Sequence, residues 1–351
     1  MNSKPQVELS VIVCTRNRAK QLSTLIQCLG IQKNIEKLTW EIVIVDNNSS
    51  DNTKEVSYAF CEGSNLKINY ICESKIGLSC ARNAGILASK GSLLLFVDDD
   101  VLLPDDFISN ALFGAAEYPE FHIFGFRVLP EWPEARSRDL VFKPPFWLNF
   151  KKPFNLLQSF IPTHDLGKEV LQYPNRKAKN PIGACFIVRK EVFEKVGPFR
   201  EDLGAGTQTG LCEDTELFWY AMLRGFKILY WPYAALYHPA TTERLTVRYL
   251  HKWYFNLGKS LYLLKNTGRI FNIKNKPILG IEGLISNKLP PIFETFFLKI
   301  KIFRVSVFLW LKLFLSILLL PVTIILFLIR RPFYLSTLLA KTIGEVRQSI
   351  H

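Results

Sequence analysis

The chain has 351 residues, a net charge of +13, 48% hydrophobic and 13% aromatic residues, which allows one large domain plus added elements. Much of the basic charge lies in 248–304, beside an apolar run rather than a recognition motif, which argues against a nucleic-acid-binding domain. Residues 1–8 are polar without an apolar signal core, and the seven cysteines show no CxxC spacing, so neither secretion nor zinc is expected and the thiols should be reduced.

Alternating blocks fill the first hundred residues. Residues 9–14 read as a strand, and 19–29 as an amphipathic helix with Leu22, Leu25, Ile26 and Leu29 on one face. A second strand follows at 41–45, then a helix at 51–60 opened by Ser49, Ser50 or Asp51. Residues 67–72 form the third strand, 77–89 a helix, and 93–97 a fourth strand that ends in Asp98-Asp99-Asp100. Repeated β-α units predict an α/β fold with a doubly wound, mostly parallel sheet.

Past Pro104 the pattern loosens. Residues 121–128 suit a strand, and 130–180, rich in Pro, Trp, Phe and Lys, suit an insertion or long loop. Regular blocks return as a strand at 182–189 and a helix at 190–196. Gly204-Ala205-Gly206-Thr207 then reads as a loop able to move over a substrate, followed by a helix at 213–224 and a strand at 226–231. Residues 241–266 are amphipathic and helical, and 305–329 are apolar enough to cross a bilayer, with Pro321 as a kink and Arg330-Arg331 at the end. Three parts are therefore expected: a catalytic domain over 1–240, a basic amphipathic segment over 241–304, and a transmembrane or re-entrant segment with a basic tail over 305–351. A basic segment beside a span is drawn to anionic lipid and favours the cytoplasmic face.

Carboxylates at the carboxyl end of a buried strand sit where open α/β sheets bind ligands. Three in a row repel unless cations neutralise them, and their hard oxygens suit Mg²⁺ or Mn²⁺; a solvated acidic turn capping the next helix is the plainer alternative. The loops at 15–18, 46–51 and 75–77 converge on the same crevice, which suits a nucleoside diphosphate. The phosphate loops GxGxxG and GxxxxGK[ST] do not occur, so the phosphates fall to the cation. Glu213 and Asp214 open a helix whose dipole favours negative charge, and a positioned carboxylate there can take a proton from a hydroxyl.

Ser10-Val-Ile-Val-Cys-Thr-Arg-Asn-Arg18, Val43-Ile-Val-Asp-Asn-Asn-Ser-Ser-Asp51, Gly77-Leu-Ser-Cys-Ala-Arg-Asn-Ala-Gly85 and Phe96-Val-Asp-Asp-Asp100 follow one another in that order. With Gly183-Ala184-Cys185-Phe186 and Glu213-Asp214-Thr215-Glu216-Leu217, they resemble the ordered motifs of family 2 glycosyltransferases of GT-A fold, over about 9–240. The resemblance implies that Thr15 and Asp46 contact the nucleoside of a nucleotide-diphosphate sugar, expected to be a UDP-sugar. Arg16, Asn17, Asn48 and Arg82 join that donor pocket. Asp100 would ligate Mn²⁺ or Mg²⁺, His238 would complete the metal site, and Asp98 would reach ribose or metal-bound water. Asp99 falls near the donor sugar or the ribose. Asp214 matches the catalytic base, with Glu213 beside it. The implied reaction is a single inverting displacement onto a hydroxyl of a glycan or lipid-linked glycan. No QxxRW motif occurs in 241–259, so addition of one or a few sugars is expected rather than a long polymer. Nucleotide-sugars are made in the cytoplasm, so a catalytic domain on the cytoplasmic face of a bacterial inner membrane is expected, touching lipids but not nucleic acid. The alternatives are a non-catalytic membrane scaffold with the same fold and a metal-dependent nucleotidyltransferase.

Overall fold

Runs such as Leu9-Ser-Val-Ile-Val and Ile42-Val-Ile-Val45 have no polar face, and in the structure they are buried on both sides as central strands. The computed structural model describes residues 7–63, 66–132 and 160–266. Eight strands form one sheet: β1 (Leu9–Thr15), β2 (Trp40–Asp46), β3 (Ile68–Cys72), β4 (Leu93–Asp98), β5 (Ile123–Glu131), β6 (Leu171–Tyr173), β7 (Cys185–Arg189) and β8 (Ile228–Pro239). Their order is β3-β2-β1-β4-β7-β5-β8-β6. The first four strands pair in parallel, as does β5 with β8, while β7 runs antiparallel to β4 and β5, and β6 antiparallel to β8. The sheet is therefore mixed but mostly parallel, as the alternating blocks predict.

Helices α1 (Ala19–Gly30), α2 (Thr53–Gly63), α3 (Leu78–Ala88), α4 (Phe107–Glu117), α5 (Glu191–Val196), α6 (Glu213–Leu223) and α7 (Val247–Asn266) cover both faces. Leu22, Leu25, Ile26 and Leu29 of α1 are buried with Phe107 of α4 and Trp231 of β8 on one face. The other face is built on aromatic rings: Phe96 stacks on Phe186 at 4.9 Å, with Phe193 and Phe199 edge-on to it.

Three features depart from the sequence reading. Helix α4 has no counterpart in that reading: its buried face starts with Phe107 and Ile108 but continues with the small residues Ala111, Gly114 and Ala115, and the exposed Phe113 blurs the apolar stripe. Strand β8 does not stop at Trp231. Its pairing with β5 slips there, so that Phe126 faces Trp231 but Arg127 faces Ala235, and residues 232–234, including Pro232, are left over. The strand then continues to Pro239 and carries His238 inside the sheet. The loop at 204–207, expected to be free to move, is tied down. Leu78 N–H donates to the Ala205 carbonyl at 2.8 Å, and Gly206, at φ +88°, lies so close to Gly77 that an added Cβ would come within 3.1 Å of its Cα. Lys259 of α7 donates to the Gln208 carbonyl, and Ser260 Oγ to that of Thr209 at 3.4 Å.

Helix α7 is part of the packed structure. Leu250 and Tyr254 bury against Phe160 and Ile161, and Leu264 against Leu203 and Cys212. All seven cysteines are free thiols. Among the described residues no helix is long and apolar enough to cross a membrane. The apolar run at 305–329, the tail after it and most of the expected insertion lie outside the described residues.

His164 pins the segment that follows residue 160 onto β5 through a two-way backbone bridge with Val128, and its ring bonds the Tyr173 hydroxyl. Burial pushes its pKa down to about 4 from an ordinary 6.5. A histidine kept neutral in the fold contributes stability above pH 6.5 that is lost as acid charges the unfolded chain. The His164→Gln variant should therefore lack roughly 2 kcal/mol of the stability loss that the wild type suffers between pH 7 and pH 5. Urea unfolding at both pH values measures this, and parallel losses in the two proteins would refute it.

Candidate active site

The carboxyl ends of β1, β2 and β4 are level: Thr15 faces Asp46, and Cys14 faces Asp98. The loops beyond them are laced together. Asn17, at φ 54°, accepts the Ser50 N–H at 2.7 Å and donates its own N–H to Ser49 Oγ at 2.9 Å. Asp46 accepts from Ser49 N–H at 2.9 Å and from the Tyr70 hydroxyl at 2.8 Å. Asn47 bonds the Glu73 and Lys75 carbonyls and accepts the Gly77 N–H at 2.8 Å. Thr15 and Asp46 are thus buried beneath these loops, while Arg16 and Asn48 stand exposed on the rim.

Strand β4 delivers the acidic triplet. Arg18 Nη1 lies 2.8 Å from Asp99 Oδ1 and 2.9 Å from Asp100 Oδ2. The other oxygen of Asp100 faces His238 Nε2 at 3.4 Å. Burial pushes His238 down to about 4, against the pull of Asp100, so the imidazole is neutral. Its Nδ1 lies 3.3 Å from the Pro239 carbonyl, which can only accept; the ring proton therefore sits on Nδ1, and Nε2 presents a lone pair. A lone pair facing a carboxylate oxygen suits a cation between them. Asp98, Asp100 and His238 each offer one ligand atom, all within 4.8 Å of one another. Two hard carboxylates with one neutral imidazole fit a divalent ion of the Mn²⁺ or Mg²⁺ class.

Arg82 sits beneath this group and is 3% exposed. Its Nη1 donates to Glu213 Oε1 at 2.9 Å, and its Nη2 donates to the Gly183 carbonyl at 3.0 Å and lies 3.5 Å from Asp98 Oδ1. The rings of Phe186 and Phe199 lie 5.7 and 5.4 Å from the guanidinium. Burial raises the Glu213 pKa, Asp214 adds to this, and Arg82 opposes it. Burial also raises Asp98, with Arg82 opposing and Asp100 and Asp99 reinforcing. Because 34% of the Asp98 side chain opens onto the cleft, water there offsets part of the burial effect.

Asp214, at the start of α6, lines the same open cleft of about 1360 Å³ as Asp98 and His238. Its Oδ1 accepts the Thr215 N–H at 2.6 Å. Its Oδ2 occupies space that a side chain at 183 would fill, since a Cβ added to Gly183 would lie 2.6 Å from it. One oxygen is therefore anchored, and glycine keeps room for the other.

The structure thus gathers Asp98, Asp99, Asp100, Glu213, Asp214, Arg82 and His238, with Asn17 holding two loops in place. Arg18, Asn47 and Tyr70 were missed as site residues. Arg18 had a signal, a cation one loop away from three aligned carboxylates; Tyr70 lies in a strand and had none.

The model of the family described as "Glycosyl transferase family 2" matches residues 10–197. The chain belongs to this family. Among curated proteins, the poly(ribitol-phosphate) beta-N-acetylglucosaminyltransferase TarS of Staphylococcus aureus is 30% identical over 116 residues, 33% of this chain and 20% of TarS. Glycosyltransferase AglE of Haloferax volcanii is 36% identical over 93 residues, 26% of this chain and 30% of AglE. The matched part thus spans less than a third of either relative. Among solved structures, the mannosyltransferase PcManGT of Pyrobaculum calidifontis, in complex with GDP-Man and Mn²⁺, aligns with a TM-score of 0.60 at 16% identity, covering 99% of this chain and 88% of that one. That likeness is one of fold, the GT-A fold.

In this family 2 chain, Arg82 is the counter-charge for the buried Glu213 and for Asp98, which is partly open to the cleft. Removing it should be costly, because Glu213 would stay buried without its partner and Asp98 would lose its counter-charge. Arg82→Ala should destabilise the protein by about 3–5 kcal/mol, and adding Glu213→Gln should return part of that loss. Urea unfolding of the two variants measures both changes; a loss under about 1 kcal/mol for the single variant would contradict the assignment.

Proposed function

We propose that this family 2 protein transfers a sugar, with inversion, from a nucleotide-diphosphate sugar to a hydroxyl of a glycan or lipid-linked glycan. The observation that carries this reading is the meeting of Asp98, Asp100 and His238 within 4.8 Å, in the cleft that also holds Asp214. The family membership and the glycosyltransferase names of the relatives support the reaction class. Asp98, Asp100 and His238 would hold the ion, with manganese and magnesium the candidates. When bound, such an ion supplies positive charge for the departing diphosphate.

The chain's own residues account for the rest. Asp214 Oδ2 takes the proton of the acceptor hydroxyl, while the Thr215 N–H on Oδ1 fixes the carboxylate plane. Arg82 holds Glu213 in place beside it. A direct displacement needs no enzyme nucleophile, and none is assigned. The donor pocket lies among the loops of Thr15, Arg16, Asn17, Asp46 and Asn48, with Asp99 on the sugar or ribose side and a uridine nucleotide as the expected donor. The catalytic part, 1–240 buttressed by α7, precedes a basic and then an apolar stretch, and that order supports attachment to a membrane by its cytoplasmic face.

Incubating the full-length protein with Mn²⁺, a lipid-linked glycan extract and a panel of UDP- and GDP-sugars tests the proposal. Nucleoside diphosphate should be released with one donor class. Asp214→Asn should lower turnover by about 10²–10⁴, the range for general base catalysis, with donor affinity kept within about twofold. Gly183→Ala should lower turnover in the same way by displacing Asp214. Full turnover in Asp214→Asn, or release of pyrophosphate, would refute the reading.

A further inference from the structure

Each carboxylate oxygen of Asp100 faces a nitrogen of the protein. Its Oδ2 is bonded to Arg18 Nη1 at 2.9 Å, and its Oδ1 faces His238 Nε2 at 3.4 Å, across the proposed cation site. The same Arg18 nitrogen reaches Asp99 Oδ1 at 2.8 Å, and Asp99 is 4% exposed. A fixed protein cation therefore sits directly behind one ligand of the ion. Like charges that share one carboxylate oppose each other. Arg18 binds the acidic turn through Nη1 alone; its Nε and Nη2 donate to no described residue, and 43% of its side chain is exposed. Those free donors suit the oxygens of a diphosphate.

We propose that Arg18 is a positioning residue that makes metal and nucleotide binding mutually dependent. It holds Asp99 and Asp100 together as a resident counter-cation and lowers the affinity of the site for a bare divalent ion. The same guanidinium attracts the diphosphate, whose negative charge then offsets the repulsion between Arg18 and the ion. Ion and nucleotide thus bind well only as a pair, and by linkage each raises the affinity of the other by the same factor. This inference rests on the metal-dependent reading of Asp98, Asp100 and His238.

Mn²⁺ titration of the full-length protein, followed by electron paramagnetic resonance of the free ion with and without UDP or GDP, tests it. In Arg18→Gln the affinity for Mn²⁺ alone should rise about tenfold, the scale of one partly screened charge near a dication. The factor by which nucleotide strengthens Mn²⁺ binding should shrink correspondingly. Arg18→Lys, which keeps the charge, should leave the affinity for Mn²⁺ alone near the wild-type value. A gain in affinity cannot come from damage to the fold, so the readout separates this role from a structural one. If the wild type binds Mn²⁺, Asp100→Asn does not, and Arg18→Gln binds no more tightly than the wild type, the inference fails while the metal reading stands. If the wild type binds no Mn²⁺ with or without nucleotide, the metal reading itself is overturned, and this inference with it.

Discussion

Repulsion among clustered carboxylates is the constraint around which this molecule is built. Asp98, Asp99 and Asp100 leave one strand, and Glu213 and Asp214 open a helix directed at the same point. Without compensation, that density of negative charge would push the strand ends apart. Two arginines on opposite sides supply it. Arg82 lies below, buried, and is shared by Glu213, Asp98 and the Gly183 carbonyl. Arg18 lies above, partly in water, and joins Asp99 to Asp100. The two differ in what they can give up. Arg82 is fixed by three partners and two aromatic rings, whereas Arg18 keeps exposed surface and unengaged donors.

The second half of the sheet exists in this form because of what it must bring to that point. Strand β7, antiparallel between β4 and β5, ends its preceding loop at Gly183 and Ala184, where the Ala184 carbonyl receives the Asp98 N–H at 2.9 Å. The slip after Trp231 lets β8 resume pairing and run on until His238 stands beside Asp100. Helix α7 then returns across the loop at 204–212, so the start of α6 is held from both sides, by α3 and by α7. A loop rich in glycine suggests freedom, but Gly206 here serves close packing against Gly77.

Much of this was legible in the sequence, and for a consistent reason. Elements buried on both faces or amphipathic by clear spacing, such as β1, β2, β4 and α1, announce themselves through periodicity. The acidic triplet could be placed at a strand end because the run before it admits no other reading. What stayed hidden had no periodic signal. Helix α4 carries an apolar ring, Phe113, on its exposed side as well as Phe107 on its buried one, and β8 contains Pro232, which normally ends a central strand. The pairing of Arg18 with Asp99 and Asp100 depends on two loops meeting across 81 and 82 residues of chain, a distance that local pattern cannot span. Ordered motifs could say that Arg82 belongs to the site; only the folded chain shows that it is paired with Glu213 and faces Asp98.

That placement changes how the two halves of the site relate. On the proposed reading, a donor half built on Asp98 and an acceptor half built on Glu213 and Asp214 would be electrostatically separate if each had its own counter-charge. They share one. Because the same guanidinium faces Asp98 at 3.5 Å and Glu213 at 2.9 Å in a buried setting, any change of charge at one carboxylate alters the hold on the other. On the proposed reading, Asp98 would be one of the residues that hold a cation, and any charge it gave to that ion would leave more of Arg82 to Glu213, at the start of α6 where Asp214 stands.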